Sequence, residues 1–273
     1  MIVSGKPPGS LENEAPPYAD LEREWHVLAA RDGLSLATVR CADCERSLLL
    51  ADIAAPEKPV VAIAAGVHGD EPAASWALLS IVRDGLLDPS FAYRIWPCTN
   101  PSGYALGTRA NAEGFDVNRS FGGDGTTPEA RAIVAANRGC RFALTIDLHE
   151  DYEAHGFYCY EPLIGGEAPL GRAVVDAVAG AAFPIQELDD AFELGYPVEA
   201  HHVRRLEHGR VLPTPDAEIA FSAALPYSMY LLKNGLAKRS LTLESPRRLA
   251  WDDRIAIHRV AVVNALVQLS DVM

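Results

Sequence analysis

The hydrophobic rhythm of the chain changes character along its length. From Trp25 to Ile53, short apolar stretches alternate with turn residues: Trp25-His-Val-Leu28, Leu34-Ser-Leu-Ala-Thr-Val39 and Ser47-Leu-Leu-Leu50. This spacing predicts antiparallel strands at a sheet edge. Pro59-Val-Val-Ala-Ile-Ala-Ala65 is then apolar without alternation, the mark of a strand buried on both faces. Tyr93–Cys98, Phe142–Leu148 and Arg239–Ser245 are further strands by the same reading. Between them lie helical stretches. Residues 70–84 set Ala74, Leu78, Leu79 and Val82 on one side, and 128–137 begins with Thr127 as cap and Pro128 in the first turn. Residues 168–182 and 252–269 complete the helices, the last with aspartates as caps. Strands alternating with helices predict an α/β fold, a single domain with a mixed, largely parallel central sheet flanked by helices. Residues 1–20, rich in Pro, Glu and Gly, predict a loose N-terminal arm, leaving 21–273 as the folded domain.

Two stretches break the rhythm. Residues 99–127 are glycine-rich with few apolar positions, and unstructured loops of that length usually carry function. Residues 184–226 hold scattered charge and three histidines, with no pattern that assigns an element.

Composition narrows the function classes. With 49% hydrophobic and 22% charged residues, the chain is an ordinary globular protein. It lacks any run of about 18 apolar residues, so no membrane span is expected. The N-terminus has no apolar core flanked by positive charge, so no secretory signal is expected. The net charge is −13, and the basic clusters are short (Arg204-Arg205, Lys238-Arg239, Arg247-Arg248). That balance argues against nucleic acid as a partner. An odd count of five cysteines fits reduced thiols and a cytoplasmic location. Cys41-x-x-Cys44 has no second cysteine pair and no helix pattern after it, which favours a plain strand-and-turn pair over a redox or zinc motif. Oligomeric state is not legible.

Reactive side chains cluster just after the buried strands. His68 and Glu71 follow 59–65, His149 follows 142–148, and Glu244 ends 239–245. In open α/β sheets, ligands bind outside the carboxyl ends of the strands. His68-Gly-Asp-Glu71 is an H-x-x-E pair, which alone is most often a surface pair. His149 adds a third candidate ligand from another strand. Two histidines and a carboxylate, with a fourth position left for water, is the layout of a catalytic zinc site, and such a water acidifies to a pKa of about 7.

The series Gly66-Val-His68-Gly-Asp-Glu71, Asn100-Pro-Ser-Gly103, Arg109, Asp116-Val-Asn118-Arg119, Asp147-Leu-His149 and Leu241-Thr-Leu-Glu244 resembles the zinc carboxypeptidase superfamily. That group includes carboxypeptidases A and B, bacterial murein-peptide amidases, and the aspartoacylase and succinylglutamate desuccinylase deacylases. The resemblance spans residues 59–246 in order, with much unmatched sequence between the motifs. It implies that His68, Glu71 and His149 bind one zinc per chain, and that Asn118 and Arg119 hold a substrate carboxylate. It further implies that Arg109 polarises the scissile carbonyl, that Glu244 is the general base, and that Asp116 orients the first zinc histidine. The implied activity is that of a compact carboxypeptidase releasing C-terminal residues from peptides.

Each role has a plainer competitor. Arg119 could pair with Asp116 or Asp124, Arg109 could be a solvated loop arginine, Asp116 could cap a turn, and Glu244 could be a strand-end surface charge. Arg109 lies closer to Asn118 than in the digestive enzymes. Glu150 and Asp151 are rival bases, read instead as loop acids. The mobile tyrosine of the digestive enzymes has no clear counterpart, since Tyr227 and Tyr230 lie too near Glu244 and read as core or wall residues. His201, His202 and His208 read as solvated rather than as a second metal cluster, and His26, His155 and His258 as structural. No G-x-S-x-G elbow or phosphate loop is present. An N-acyl amino-acid deacylase is the main functional rival, disfavoured because the 29 residues after Glu244 predict one helix rather than a β-rich domain. An inactive zinc-binding protein of the same fold is disfavoured by the joint presence of the three ligands, Glu244 and Arg119.

Overall fold

The computed structural model describes residues 15–32, 34–41, 44, 46–122, 124–162, 167–187, 205–212 and 225–273. Helix α1 (Tyr18–Asp32) precedes the edge strands β1 (Ser35–Val39) and β2 (Leu48–Ile53). The core alternation follows: β3 (Val60–Ala65), α2 (Pro72–Arg83), β4 (Ala92–Trp96), α3 (Pro101–Leu106), α4 (Pro128–Ala136) and β5 (Leu144–Asp151). Then come β6 (Tyr158–Tyr160), α5 (Gly171–Gly180), β7 (Arg205–Glu207), β8 (Arg210–Leu212), α6 (Tyr227–Lys233), β9 (Ser240–Pro246) and α7 (Trp251–Asp271).

These strands form one sheet in the order β1-β2-β4-β3-β5-β9-β6-β8-β7. The centre, β4-β3-β5-β9, is parallel, and antiparallel pairings join the flanking strands to it. The mixed α/β architecture is as expected. β3 continues to β4 on one side of itself, whereas β5 lies on the other. The chain therefore leaves β3 and β5 in opposite directions, opening a crevice at their carboxyl ends.

Strand alternation divides the core in two. On β3, Val61, Ile63 and Ala65 pack with α1, α2, α5 and α7, while Ala62 and Ala64 pack with α4 and α6. The same period governs β5: Leu144, Ile146 and Leu148 join the first cluster. Thr145, Asp147 and His149 therefore face the α4/α6 side, and Glu150 faces the α2/α7 side.

Several expectations are corrected. Trp25-His-Val-Leu28 is helical, not a strand, because Tyr18, Leu21, Trp25 and Leu28 recur at helical spacing and are all buried. The 99–127 loop contains α3, capped by the Asn100 side chain on Gly103 N–H, and a 3₁₀ turn at Val117–Arg119. The cap of α7 is Ala250 without a side-chain bond, and Asp252 and Asp253 sit in the first turn, where negative charge suits the helix dipole. Cys41 and Cys44 lie side by side, with Cα atoms 5.2 Å apart. Thr127 caps α4 as expected, through Ala130 N–H. Of 184–226, the stretches 188–204 and 213–224, with His201 and His202, lie outside the described residues. Among the described residues, no helix is long and apolar enough to cross a membrane.

Candidate metal centre

The backbone beyond β3 turns sharply at Gly66, whose φ of 64° is in the region that favours glycine. A Cβ at Gly69 would fall 1.9 Å from the Gly103 carbonyl carbon. The segment carrying His68 thus lies backbone to backbone against α3. Three residues on, Glu71 occupies the N-cap position of α2, but its side chain makes no cap bond. It turns instead toward the histidines. Glu71 Oε1 lies 2.5 Å from His68 Nδ1, and Oε2 lies 2.9 Å from His149 Nδ1. All three residues are buried, and their ligand atoms lie within 4.8 Å of one another. Among the described residues, this is the group of three or more that could hold a metal ion.

Carboxylates stand behind both imidazoles. Asp116 Oδ1 lies 3.4 Å from His68 Nε2, and Asp147 Oδ2 lies 3.4 Å from His149 Nε2. These are ion-pair contacts without hydrogen-bond alignment, since both Nε2 atoms and both Asp147 oxygens lack hydrogen-bond partners. Asp147 was missed as a site residue; it lies two positions before His149 on a strand, so both side chains share a face.

The charge balance fits a cation. Burial alone would raise Glu71, but the charges and hydrogen bonds of His68 and His149 hold it well below the usual carboxylate range. Burial opposes a proton on His149, yet Glu71, Asp147 and Glu244 together push it well above the usual imidazole value. Burial likewise opposes ionisation of Asp116, which contact with His68 and the charges of His68, Arg109 and Arg119 nevertheless hold low. Glu71, Asp116 and Asp147 face the two imidazoles, and the two-His, one-carboxylate donor set suits zinc.

The remaining candidates converge on the same crevice. Glu244 is in register with His149 across β5 and β9, so both project to one side. It is buried rather than a surface charge, and that burial pushes its carboxyl up to about 8, against the pull of His149. Arg109 is half-exposed. It donates twice to Asp116 Oδ2 (3.1 and 3.2 Å), and its Nη1 reaches 3.2 Å from His68 Nδ1 and 3.8 Å from Glu71 Oε1. Asp116 also caps the 3₁₀ turn through Asn118 N–H at 2.8 Å, so the turn-capping and histidine-facing readings hold together. Asn118 Oδ1 accepts from Tyr227 N–H, and Arg119 donates to the Asn118 carbonyl. Asp124 pairs with Arg138. A cleft of about 270 Å³ is lined by His68, Glu71, Arg109, Asn118, Arg119, His149 and Glu244, with Ser228, Met229 and Thr242 on one wall.

The other candidates are engaged elsewhere by their side chains. Glu150 is among the residues that line the cleft, but it is a strand residue, not a loop acid, and its fully buried carboxylate is bonded to Arg254. Asp151 accepts from Tyr158 OH. Tyr227 is a core residue whose OH accepts from Asn137, and Tyr230 packs in the same cluster. Tyr152, passed over in the sequence, stands half-exposed at the cleft mouth with its OH donating to Asp70 O. His208 pairs with Glu187 and Asp176, and exposed His155 contacts Arg248. His258 is fully buried on α7, and burial pushes it down to about 3, so it stays neutral.

Comparison with known proteins sets this geometry beside others. No family model matches the chain. A 60-residue segment is 45% identical to murein peptide amidase A of Escherichia coli (strain K12), covering 22% of this chain and 24% of the relative, so the match spans about a quarter of that protein. Among solved structures, a candidate metallopeptidase from Shewanella denitrificans OS217 superposes with a TM-score of 0.72 at 21% identity, covering 91% of this chain and 89% of that one. A metallo-carboxypeptidase from Burkholderia cenocepacia gives 0.65 at 20% identity, covering 91% and 68%. Carboxypeptidase A from Helicoverpa armigera gives 0.62 at 16% identity, covering 94% and 72%. The chain has the fold of the metallo-carboxypeptidases, as its motif series implied.

Proposed function

We propose that the chain is a zinc-dependent hydrolase that cleaves the C-terminal peptide bond of peptides, with one zinc per chain held by His68, Glu71 and His149. The observation that carries this reading is convergence: the metal-capable trio, an inward-facing buried carboxylate and two arginines line a single cleft. When bound, the ion would supply Lewis acidity to a water nucleophile and to the scissile carbonyl.

The chain's own side chains would do the rest. Arg119 would take the substrate's terminal carboxylate through a charge-assisted contact. Asn118, its carbonyl already engaged by Tyr227 N–H, would add its NH₂. Arg109, held between Asp116 and the ligand cluster, would face the oxygen on which negative charge develops. Glu244 would take the proton from water and return it to the leaving amine. Asp116 and Asp147 would steady the two imidazoles from behind.

An N-acyl amino-acid deacylase would use the same anchors. The relative named for murein peptides favours a peptide substrate. The test is product release from a panel of free and amidated peptides, murein-derived peptides and N-acyl amino acids, run beside zinc analysis. Amidating the C-terminus should lower kcat/KM at least tenfold, about 1.4 kcal/mol. Efficient turnover of N-acetyl-aspartate or N-succinyl-glutamate with the peptides untouched would replace this reading with the deacylase one.

A further inference from the structure

The N-terminus of α2 is short of a cap, and the reason is chemical. Glu71 stands in the N-cap position, yet its carboxylate is drawn off toward His68 and His149. Pro72 contributes no N–H, so Ala73 N–H is the first donor of α2 that needs a partner. It finds one 77 positions along the chain: Glu150 Oε2, at 2.8 Å. The exchange is mutual, for Glu150 N–H donates to Glu71 Oε2 at 3.1 Å. Each glutamate thus accepts a backbone N–H from the other's segment, a capping box divided between a helix start and a strand end.

The Glu150 side chain is itself held firmly. Its surface exposure is 0%. Arg254 Nη1 of α7 lies 2.5 Å from Oε1, and Arg247 Nη1 lies 3.7 Å from Oε2. Arg254 is buried too, with its guanidinium over the Trp251 ring. A buried carboxylate without such a partner would be strongly unfavourable, so the clamp leaves Glu150 little freedom to leave Ala73.

We propose that Glu150, clamped by Arg254, is the positioning residue that aims the Glu71 carboxylate into the metal centre through this exchange of backbone hydrogen bonds. The proposal rests on the reading of His68, Glu71 and His149 as a metal site. It assigns Glu150 no contact with substrate or ion. Strand alternation puts its side chain on the α2/α7 side, opposite His149, and so rules it out as a rival base.

Two double variants separate positioning from mere support, because each removes both buried charges. Glu150→Gln with Arg254→Met keeps an acceptor for Ala73 N–H; Glu150→Met with Arg254→Met removes it. Zinc dissociation constants by chelator competition, the visible spectrum of the cobalt-loaded protein, thermal midpoints, and the ¹⁵N resonances of His68 and His149 in metal-free protein are compared with wild type. The Met pair should bind zinc about 10–100-fold more weakly, with an altered cobalt spectrum and shifted histidine resonances. The Gln variant should stay within about threefold of wild type, as the conservative rescue. If the Met pair does not fold, Glu150→Asp replaces it: the charge for Arg254 remains, the reach to Ala73 shortens, and zinc binding should weaken likewise. Wild-type zinc affinity, cobalt spectrum and histidine resonances in the acceptor-less variant would overturn the proposal, as would equal losses in both variants tracking their thermal midpoints. Absence of zinc binding by wild type itself would remove the metal reading instead, and the metal-free histidine resonances would still decide whether Glu150 aims Glu71.

Discussion

Replacing Asp116 with Asn isolates what one carboxylate does for the centre. Asp116 Oδ1 accepts Asn118 N–H at 2.8 Å and faces His68 Nε2 at 3.4 Å, while Oδ2 takes two donors from Arg109. Asn keeps the shape and one carbonyl oxygen. If that oxygen stays on Asn118 N–H, the new NH₂ faces the Arg109 guanidinium, and donor meets donor. Arg109 is half-exposed, so loss of its ion pair should change fold stability by no more than about 1 kcal/mol. The larger effect should fall on His68, whose Nε2 loses the charge behind it. Removing such a partner typically weakens metal binding about 10–100-fold, or about 1.4–2.8 kcal/mol. Zinc affinity should therefore drop by at least tenfold while the thermal midpoint of the metal-free protein moves only a few degrees. Chelator competition and calorimetry measure the two quantities on one preparation. A zinc dissociation constant within twofold of wild type would refute the claim that Asp116 supports His68.

Glu244→Gln should retain zinc and fold but lose about 10²–10⁴ in kcat; turnover near wild type in single-turnover assays would move the base elsewhere. His149 is raised in the metal-free protein, so its contribution to stability is fully present below the unfolded value of about 6.5 and is lost as pH rises through the folded value. The metal-free thermal midpoint should therefore fall as pH climbs above about 6.5, while apparent zinc affinity rises because the imidazole sheds its proton; an affinity flat across that range would contradict the assignment. Gly69→Ala would place a methyl 1.9 Å from the Gly103 carbonyl carbon, and the resulting backbone shift should destabilise by about 1–3 kcal/mol or more and weaken zinc binding with it. A variant with wild-type melting would show that the α3 contact is loose.

The elements the sequence disclosed are those whose burial is one-sided or total over several residues. Residues 59–65 had no polar face to confuse their reading, 142–148 carry only Thr145 and Asp147 among apolar residues, and both are central strands. The site followed from them, because His68, His149 and Glu244 stand where buried strands end. The helix α1 was harder to see. Its buried stripe of Tyr18, Leu21, Trp25 and Leu28 is interrupted by charged residues and begins within the polar arm, so only Trp25–Leu28 stood out as apolar. α3 is six residues long and held by its Asn100 cap and packing against Gly69 rather than by an apolar face. A helix that short leaves almost no periodic trace.

Glu150 shows where local reading stops for a more general reason. Sequence places it beside His149, and proximity suggested shared chemistry. On a strand, adjacent side chains point to opposite faces. His149 therefore enters the cleft, with Asp147 on the same face behind it, while the Glu150 side chain enters the layer of α2 and α7. Its partners, Ala73 and Arg254, lie 77 and 104 positions away, and no spacing rule connects them. What does connect them is a deficit at the start of α2: Glu71 is turned away from its capping position toward the histidines, and an uncapped helix end buried in protein must take its acceptor from elsewhere. The strand end that delivers His149 on one face delivers that acceptor on the other. Occupying the centre and capping the helix are thus joined through one peptide unit, between His149 and Glu150. A change on the α7 face should accordingly be felt at the ligands without altering any residue that lines the cleft on the substrate's side.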